Sequence, residues 1–353
     1  MNYDIKLLLI LALLSGGCQN PDRRNTDDPY VYANENHLRN IKMLTTNGEN
    51  AEAYFSFDQK KLIFQSRNEE YHCDQIFTMD LDGSNKKLVS TGLGRTTCSF
   101  FYPDGKHIIY ASTHGADSAC PPPPDFSQGY VWKIYSSFDL YRSDSDGSNA
   151  VPLVPHAGYD AEATISPKGN KIVFTSQRSG DLEIYSMNLD GSDLKQLTNT
   201  LGYDGGPFYS WDGKKIVYRS YHPKNNQQIQ RYKDLLKKEL IEPATFQIWI
   251  MNADGSNKQQ VTKNDFANFA PFYHPDNQRI IFCSNLNSSD PRRPDFNLWM
   301  INENGSGLEQ ITYFDNFDGF PMFSSNGKKL VFASNRFNRQ PRDTNVFIAD
   351  WID

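Results

Sequence analysis

ISPKGNKIVFTSQRSGDLEIYSMNLDGSDLKQLT, Ile165–Thr198, decides the fold. It holds two hairpin signals in series. The first is a β-rich run, a turn of the Asp-Gly kind, a lysine and a β-branched run that ends on a small residue. The second is an aromatic-containing run, the turn LDGS and a closing KQLT. Glycine accepts positive φ at low cost, so Asp-Gly between alternating apolar runs favours a tight hairpin. The first half recurs as FSFDQKKLIFQS from Phe55, FYPDGKHIIYAS from Phe101, YSWDGKKIVYRS from Tyr209, YHPDNQRIIFCS from Tyr273 and FSSNGKKLVFAS from Phe323. Aligned positions Ser56, Tyr102, Ser166, Ser210, His274 and Ser324 stand 46, 64, 44, 64 and 50 residues apart. A unit of four short strands repeated at roughly 45 residues signals a β-propeller blade. The expectation is an all-β, six-bladed propeller of four-stranded blades. The last copy, NVFIADWID, ends before its fourth strand, and IKMLT, Ile41–Thr45, which looks like KQLT, Lys195–Thr198, matches the missing piece. An N-terminal strand is therefore expected to complete the last blade and close the ring, which removes an open sheet edge.

Composition agrees. Aromatic residues make up 13% of the chain, with 23 Phe, 19 Tyr and 5 Trp, as suits many half-buried strand surfaces. A net charge of −6 argues against nucleic acid as partner, which would require a clustered basic face.

LLLILALL, Leu7–Leu14, is too short to cross a bilayer and suits a secretory signal. Ser15-Gly16-Gly17-Cys18 follows and resembles a bacterial lipobox, which marks Cys18 for lipidation. The expected organisation is a signal peptide at 1–17, a lipidated tether at 18–36 and the propeller at 37–353. Localisation is expected in the bacterial cell envelope, with a membrane-anchored lipoprotein facing the periplasm from the outer membrane, and the chain is expected to be a monomer. Among Cys73, Cys98 and Cys120, a Cys73–Cys98 or Cys98–Cys120 disulfide is expected in an oxidising compartment. Cys283 reads as a buried strand residue.

Function is expected on one face. The tight turns occupy the opposite face, whereas both long insertions, 113–138 and 221–246, fall between the second and third strands of blades two and four. The first carries four prolines with Tyr130, Trp132 and Tyr135. In the second, Ile229, Tyr232, Leu235, Leu236 and Leu240 follow helical spacing and Pro243 stops the run. Connections into the innermost strands align Asn50, Thr96, Asp160, Asp204, Asn268 and Asp318, and Glu52 and Glu162 stand two residues further on. These positions are expected to form an acidic pore mouth able to hold a cation, a basic side chain or a peptide amine. His114 and His222 open the two insertions and join the candidate site. No cofactor is expected beyond a cation at the mouth, and no G-x-S-x-G sequence offers a nucleophile elbow.

The pattern S-P-D-G-K-x-I-x-F-x-S followed by I-Y-x-M-N-x-D-G-S resembles the TolB-type, PD40 (WD40-like) propeller repeat, over roughly Gly48–Asp353. The resemblance implies a non-catalytic envelope propeller that binds a protein or peptide partner at its mouth. Related repeats also build oligogalacturonate lyases with a histidine-held metal. The alternative is therefore a metal-assisted lyase or hydrolase acting on a glycan or peptide, using His114 and His222.

Overall fold

A computed structural model of the chain describes residues 28–243, 245–288 and 294–353. The expected signal peptide and lipidation site, Cys18, lie outside these. Strand β1 (Leu38–Met43) comes first and belongs to the last blade. Blade one follows as β2 (Glu49–Phe55), β3 (Lys61–Arg67), β4 (Gln75–Asp80) and β5 (Lys87–Leu88). Blade two is β6 (Thr96–Phe101), β7 (His107–Ser112), β9 (Asp139–Asp144) and β10 (Val151–Pro152), with β8 (Trp132–Lys133) outside its sheet. Blade three is β11 (Asp160–Ile165), β12 (Ile172–Ser176), β13 (Glu183–Met187) and β14 (Lys195–Gln196). Blade four is β15 (Tyr203–Tyr209), β16 (Lys215–Tyr221), β18 (Gln247–Asn252) and β19 (Gln259–Gln260); helix α1 (Asn226–Leu236) and β17 (Leu240–Ile241) interrupt it. Blade five is β20 (Asn268–Tyr273), β21 (Arg279–Ser284), β22 (Asn297–Asn302) and β23 (Glu309–Gln310). Blade six runs β24 (Asp318–Phe323), β25 (Lys329–Ser334) and β26 (Asn345–Trp351), and β1 pairs antiparallel to β26 as its outer strand. The expected six-bladed propeller closed by an N-terminal strand is the observed fold.

Local chemistry explains the blade. Second strands such as Ile172–Ser176 are buried on both faces between neighbouring blades, and β-branched and aromatic residues fill them. The turns cap themselves. In blade two the Asp104 carboxylate accepts from the Lys106 and His107 amides at 2.8 and 3.1 Å, and Gly105 takes φ 66°. In the LDGS turn of blade three, Asp190 accepts from the Ser192 amide at 3.0 Å and its hydroxyl at 2.6 Å.

One hydrogen bond repeats at all six seams. The amides of Asn50, Thr96, Asp160, Asp204, Asn268 and Asp318 donate to the carbonyls of Thr344, Asp74, Phe138, Leu182, Phe246 and Phe296, at 2.8–3.0 Å. Each acceptor immediately precedes the third strand of the preceding blade. The Asn50–Thr344 bond joins blade one to blade six and completes the ring.

Residues 28–36, which the sequence suggests belong to the tether, pack against blade six. Val31, Tyr32 and Glu35 are buried, because Glu35 meets the guanidinium of Arg336, itself fully buried. That guanidinium also donates to Asp318 at 2.7 Å and to the Tyr30 carbonyl at 2.7 Å. Tyr32, Phe314 and Phe332 hold their rings 5.1–5.7 Å from it.

Candidate functional site: a blind pocket at the propeller mouth

Every innermost strand slips register at the same depth, between Ala51 and Tyr54 in blade one and at the equivalent places in the other five. The residue in the slip is Glu52, Cys98, Glu162, Gly206, Ala270 or Phe320, and all six have φ between 48° and 59°. Five of the six are not glycine. A non-glycine residue held there costs of order 1–3 kcal/mol, and such strain gathers where a side chain has a task. Here the slip turns all six toward the axis, where they line one cavity of about 210 Å³.

The cavity is blind. Tyr54 of blade one and Phe208 of blade four reach across the axis and meet with ring centroids 5.4 Å apart, and Phe208 packs on Phe272 at 5.1 Å. Below this plug a separate apolar funnel of about 230 Å³ opens on the opposite face, lined by Phe57, Phe100, Trp211 and Met322 among others.

The two insertions make the rim. Helix α1 begins at Asn225, whose side chain accepts from the Gln228 amide, and buries Tyr232 and Leu235. This is the expected amphipathic helix, except that Leu240 lies beyond it, in β17. There Leu240 pairs with Lys133 and Ile241 with Trp132, so a two-stranded ribbon joins the insertion of blade four to that of blade two. It places Trp132 on the cavity, against Phe246 at 5.6 Å and Phe269 at 5.7 Å. A disulfide between Cys73 and Cys120 staples the first insertion to blade one. That corrects both pairings expected for Cys98, which is free. Cys98 occupies the slip position and faces the axis, away from the loops that carry the other two cysteines.

Charge in the cavity is unevenly used. Glu162 accepts from the Thr175 hydroxyl at 2.6 Å, the Tyr203 hydroxyl at 2.9 Å and the Gly206 amide at 2.8 Å, and it pairs with Arg219. A Cβ on Gly206 would collide with the Arg219 guanidinium, so a side chain here would have to push that group off Glu162. The Arg219 guanidinium lies 5.3 Å from the Trp132 ring and 5.4 Å from that of Tyr203. Burial pushes the Glu52 carboxyl up to about 7, against the pull of the Cys98 thiol and Arg219. Burial, with Glu52 and Glu162 nearby, also holds the Cys98 thiol well above its ordinary pKa. It stays protonated at neutral pH and is not an activated nucleophile.

Of the residues expected at the mouth, Glu52 and Glu162 line the cavity, and the other ring positions do not. Asn50, Thr96, Asp160, Asp204, Asn268 and Asp318 are buried at the blade seams. Their side chains serve neighbours. Asn50 and Asn268 accept from Ser66 and Ser284 at 2.8 and 2.9 Å, and Thr96 donates to the Asp74 carbonyl at 2.9 Å. Asp160 pairs with Arg178 at 2.7 Å, Asp204 with His222 at 3.0 Å and Asp318 with Arg336 at 2.7 Å. A signal for this is in the sequence. The partner stands two residues after the serine at or next to the end of each second strand, and it is Arg178, His222 or Arg336 where the seam residue is aspartate, but Asn68, His114 or Leu286 occupies that place where it is not. His114 meets Ser112 at 2.7 Å and the Tyr141 ring at 4.2 Å, so the two histidines hold separate partners in separate blades. Among the described residues no group of three or more His, Cys, Asp or Glu is placed to hold a metal.

Beside Asp204, Glu183 is buried on β13 with one carboxyl oxygen unpartnered, and burial pushes it up to about 8. A carboxyl with a raised folded-state pKa stabilises fully below the unfolded value of 4.5 and loses that contribution as pH rises through about 8. Glu183→Gln is therefore expected to gain melting temperature relative to the unaltered protein between pH 6 and pH 9. A difference that stays constant across that range in thermal melts would contradict the assignment.

The chain matches no protein-family model and no curated protein. Solved structures do resemble it. A TolB-type protein from Agrobacterium tumefaciens aligns at a TM-score of 0.55 and 18% identity, over 87% of this chain and 91% of its own. TolB from Acinetobacter baumannii aligns at 0.54 and 18%, over 86% of this chain; the match spans 63% of that protein, under two thirds of it. An oligogalacturonate lyase in complex with manganese aligns at 0.51 and 14%, over 89% of this chain and 93% of its own. At these identities the likeness is one of fold alone, and that fold is the six-bladed β-propeller.

Proposed function

We propose that this protein is a non-catalytic binding propeller of the bacterial cell envelope, held at the membrane through Cys18, which takes a short part of a protein or peptide partner into its mouth pocket. The observation that carries the reading is the set of five strained non-glycine residues turned into one blind cavity beneath a rim built from both insertions. Strain maintained at one depth in five of the six blades suits recognition by shape and charge. The chemistry agrees: Glu162 is saturated by four internal donors and Cys98 stays protonated, so neither is poised as base or nucleophile. The TolB-like scaffold supports the same reading.

Photocrosslinking in living cells tests it. Probes replace Phe320 on the pocket wall and Tyr130, exposed on the first insertion, with Leu308 in an exposed turn of blade five as control. One discrete protein adduct from the first two positions and none from the third is expected. Adducts spread equally over all three would defeat the reading.

A further inference from the structure

Glu52 differs from every other charged group in the mouth pocket. The charges of Glu162 and Arg219 are spent on each other, with Tyr203 bonded to both. Among the described residues no cation pairs with Glu52, whose one polar partner is the Cys98 thiol. Groups facing it come from four blades: Tyr54 and Asp74 of blade one, Cys98 of blade two, Glu162 of blade three and Arg219 of blade four. Two further acceptors lie in the same cavity, because the Tyr54 and Tyr159 hydroxyls line it and neither makes a hydrogen bond to the described residues. The blade five and six side is apolar, with Ala270 and Phe320 beside Phe208.

We propose that the pocket is a receptor for a single alkylammonium group, with the Glu52 carboxylate as its charged acceptor, the Tyr54 and Tyr159 hydroxyls as neutral ones, and Phe208, Ala270 and Phe320 packed on its methylene stem. This rests on the mouth pocket being the binding site. Three acceptors match the three donors of –NH3+, whereas a guanidinium brings five N–H groups and would leave some unpaired. Three aromatic side chains, Trp132, Tyr54 and Tyr159, line the cavity, and Trp132 already receives one cation, Arg219, on its ring. At about 210 Å³ the cavity is smaller than the ~300–1,000 Å³ of drug-sized sites and fits one side chain. The same chemistry comes from a lysine of a partner peptide or from a free small amine.

Occupancy requires ionised Glu52, so the ammonium binds more tightly as pH rises. With the carboxyl at about 7, affinity increases about tenfold from pH 6 to pH 8. The test titrates the full protein with three probes: a Gly-Lys-Gly tripeptide blocked at both ends, its Nε-acetylated counterpart and n-butylammonium. The readout is the indole N–H resonance of Trp132. The lysine peptide is expected to bind at least about tenfold more tightly than the acetylated one, more tightly at pH 8 than at pH 6, with both preferences lost in Glu52→Gln. Equal affinity of the free and acetylated peptides would overturn the proposal, and that comparison needs no variant. So would no shift from any probe. If n-butylammonium binds as tightly as the lysine peptide, the chemistry stands and its source is a small amine. Crosslinks from Phe320 would survive either negative result, so failure of the ammonium assignment is distinguishable from failure of the mouth as a binding site.

Discussion

Arg336→Ala is expected to destabilise the propeller by about 3–5 kcal/mol, the cost of stranding buried carboxylates when the one cation paired with them among the described residues is removed. Arg336 is fully buried, and its guanidinium reaches Glu35 at 3.0 Å, Asp318 at 2.7 Å and the Tyr30 carbonyl at 2.7 Å. Three aromatic rings also lose contact with it. Burial and the nearby Asp318 push the Glu35 carboxyl up and Arg336 pulls it down, so without the arginine Glu35 takes up a proton or repels Asp318. At ~2 °C per kcal/mol for a large domain, the melting temperature falls by roughly 6–10 °C. The loss is expected to grow with pH above the carboxylate range. A shift of under 2 °C in a thermal melt would show that the N-terminal segment is not energetically coupled to blade six. Asp318→Asn/Glu35→Gln/Arg336→Met is expected to recover part of the loss, since no charge remains to be stranded.

Arg219→Met is expected to do comparable damage at the mouth, by about 3–5 kcal/mol, because Glu162 keeps three neutral donors but loses its largely buried ion pair. Glu162→Gln alone strands the arginine instead. The double variant is expected to be more stable than either single one, and the cycle of four melts measures the coupling. Additive losses would mean that water, not Glu162, balances Arg219. Loss of Arg219 also removes one face contact of Trp132, 5.3 Å away, so crosslinking from Phe320 should weaken in this variant even where it remains folded.

The fold was legible because its signals are local. Each Asp-Gly turn fixes a hairpin from four or five residues, and six copies in register leave little choice of architecture. Strand closure by β1 was legible for the same reason, as a fragment of the repeat at the wrong end of the chain. The site was legible only in part. Reading the inner strands as regular alternation puts Asn50 and Glu52, or Asp160 and Glu162, on one face. The register slip between Ala51 and Tyr54 breaks that parity, so Glu52 and Glu162 face the axis while Asn50 and Asp160 turn into the seams. Nothing local announces the slip, because Glu, Cys, Ala and Phe all disfavour positive φ and only Gly206 hints at it. The link between Trp132–Lys133 and Leu240–Ile241 was equally hidden: two residues on each side, far apart in sequence, carry no periodicity. The seam pairs could have been found, since aspartate occurs together with Arg178, His222 or Arg336 in blades three, four and six, but only by reading two strands at once.

The latch around Arg336 has a mechanical side. Tyr30 and Glu35 precede β1, so tension on the chain upstream of Asp28 does not reach the hydrogen bonds of β1 first. It loads a buried ion pair, clamped between rings, that also bonds Asp318 at the seam of blades five and six. A pull applied at Asp28 is thus shared between blades five and six before any strand can peel, and the ring bears it as a hoop bears a spoke.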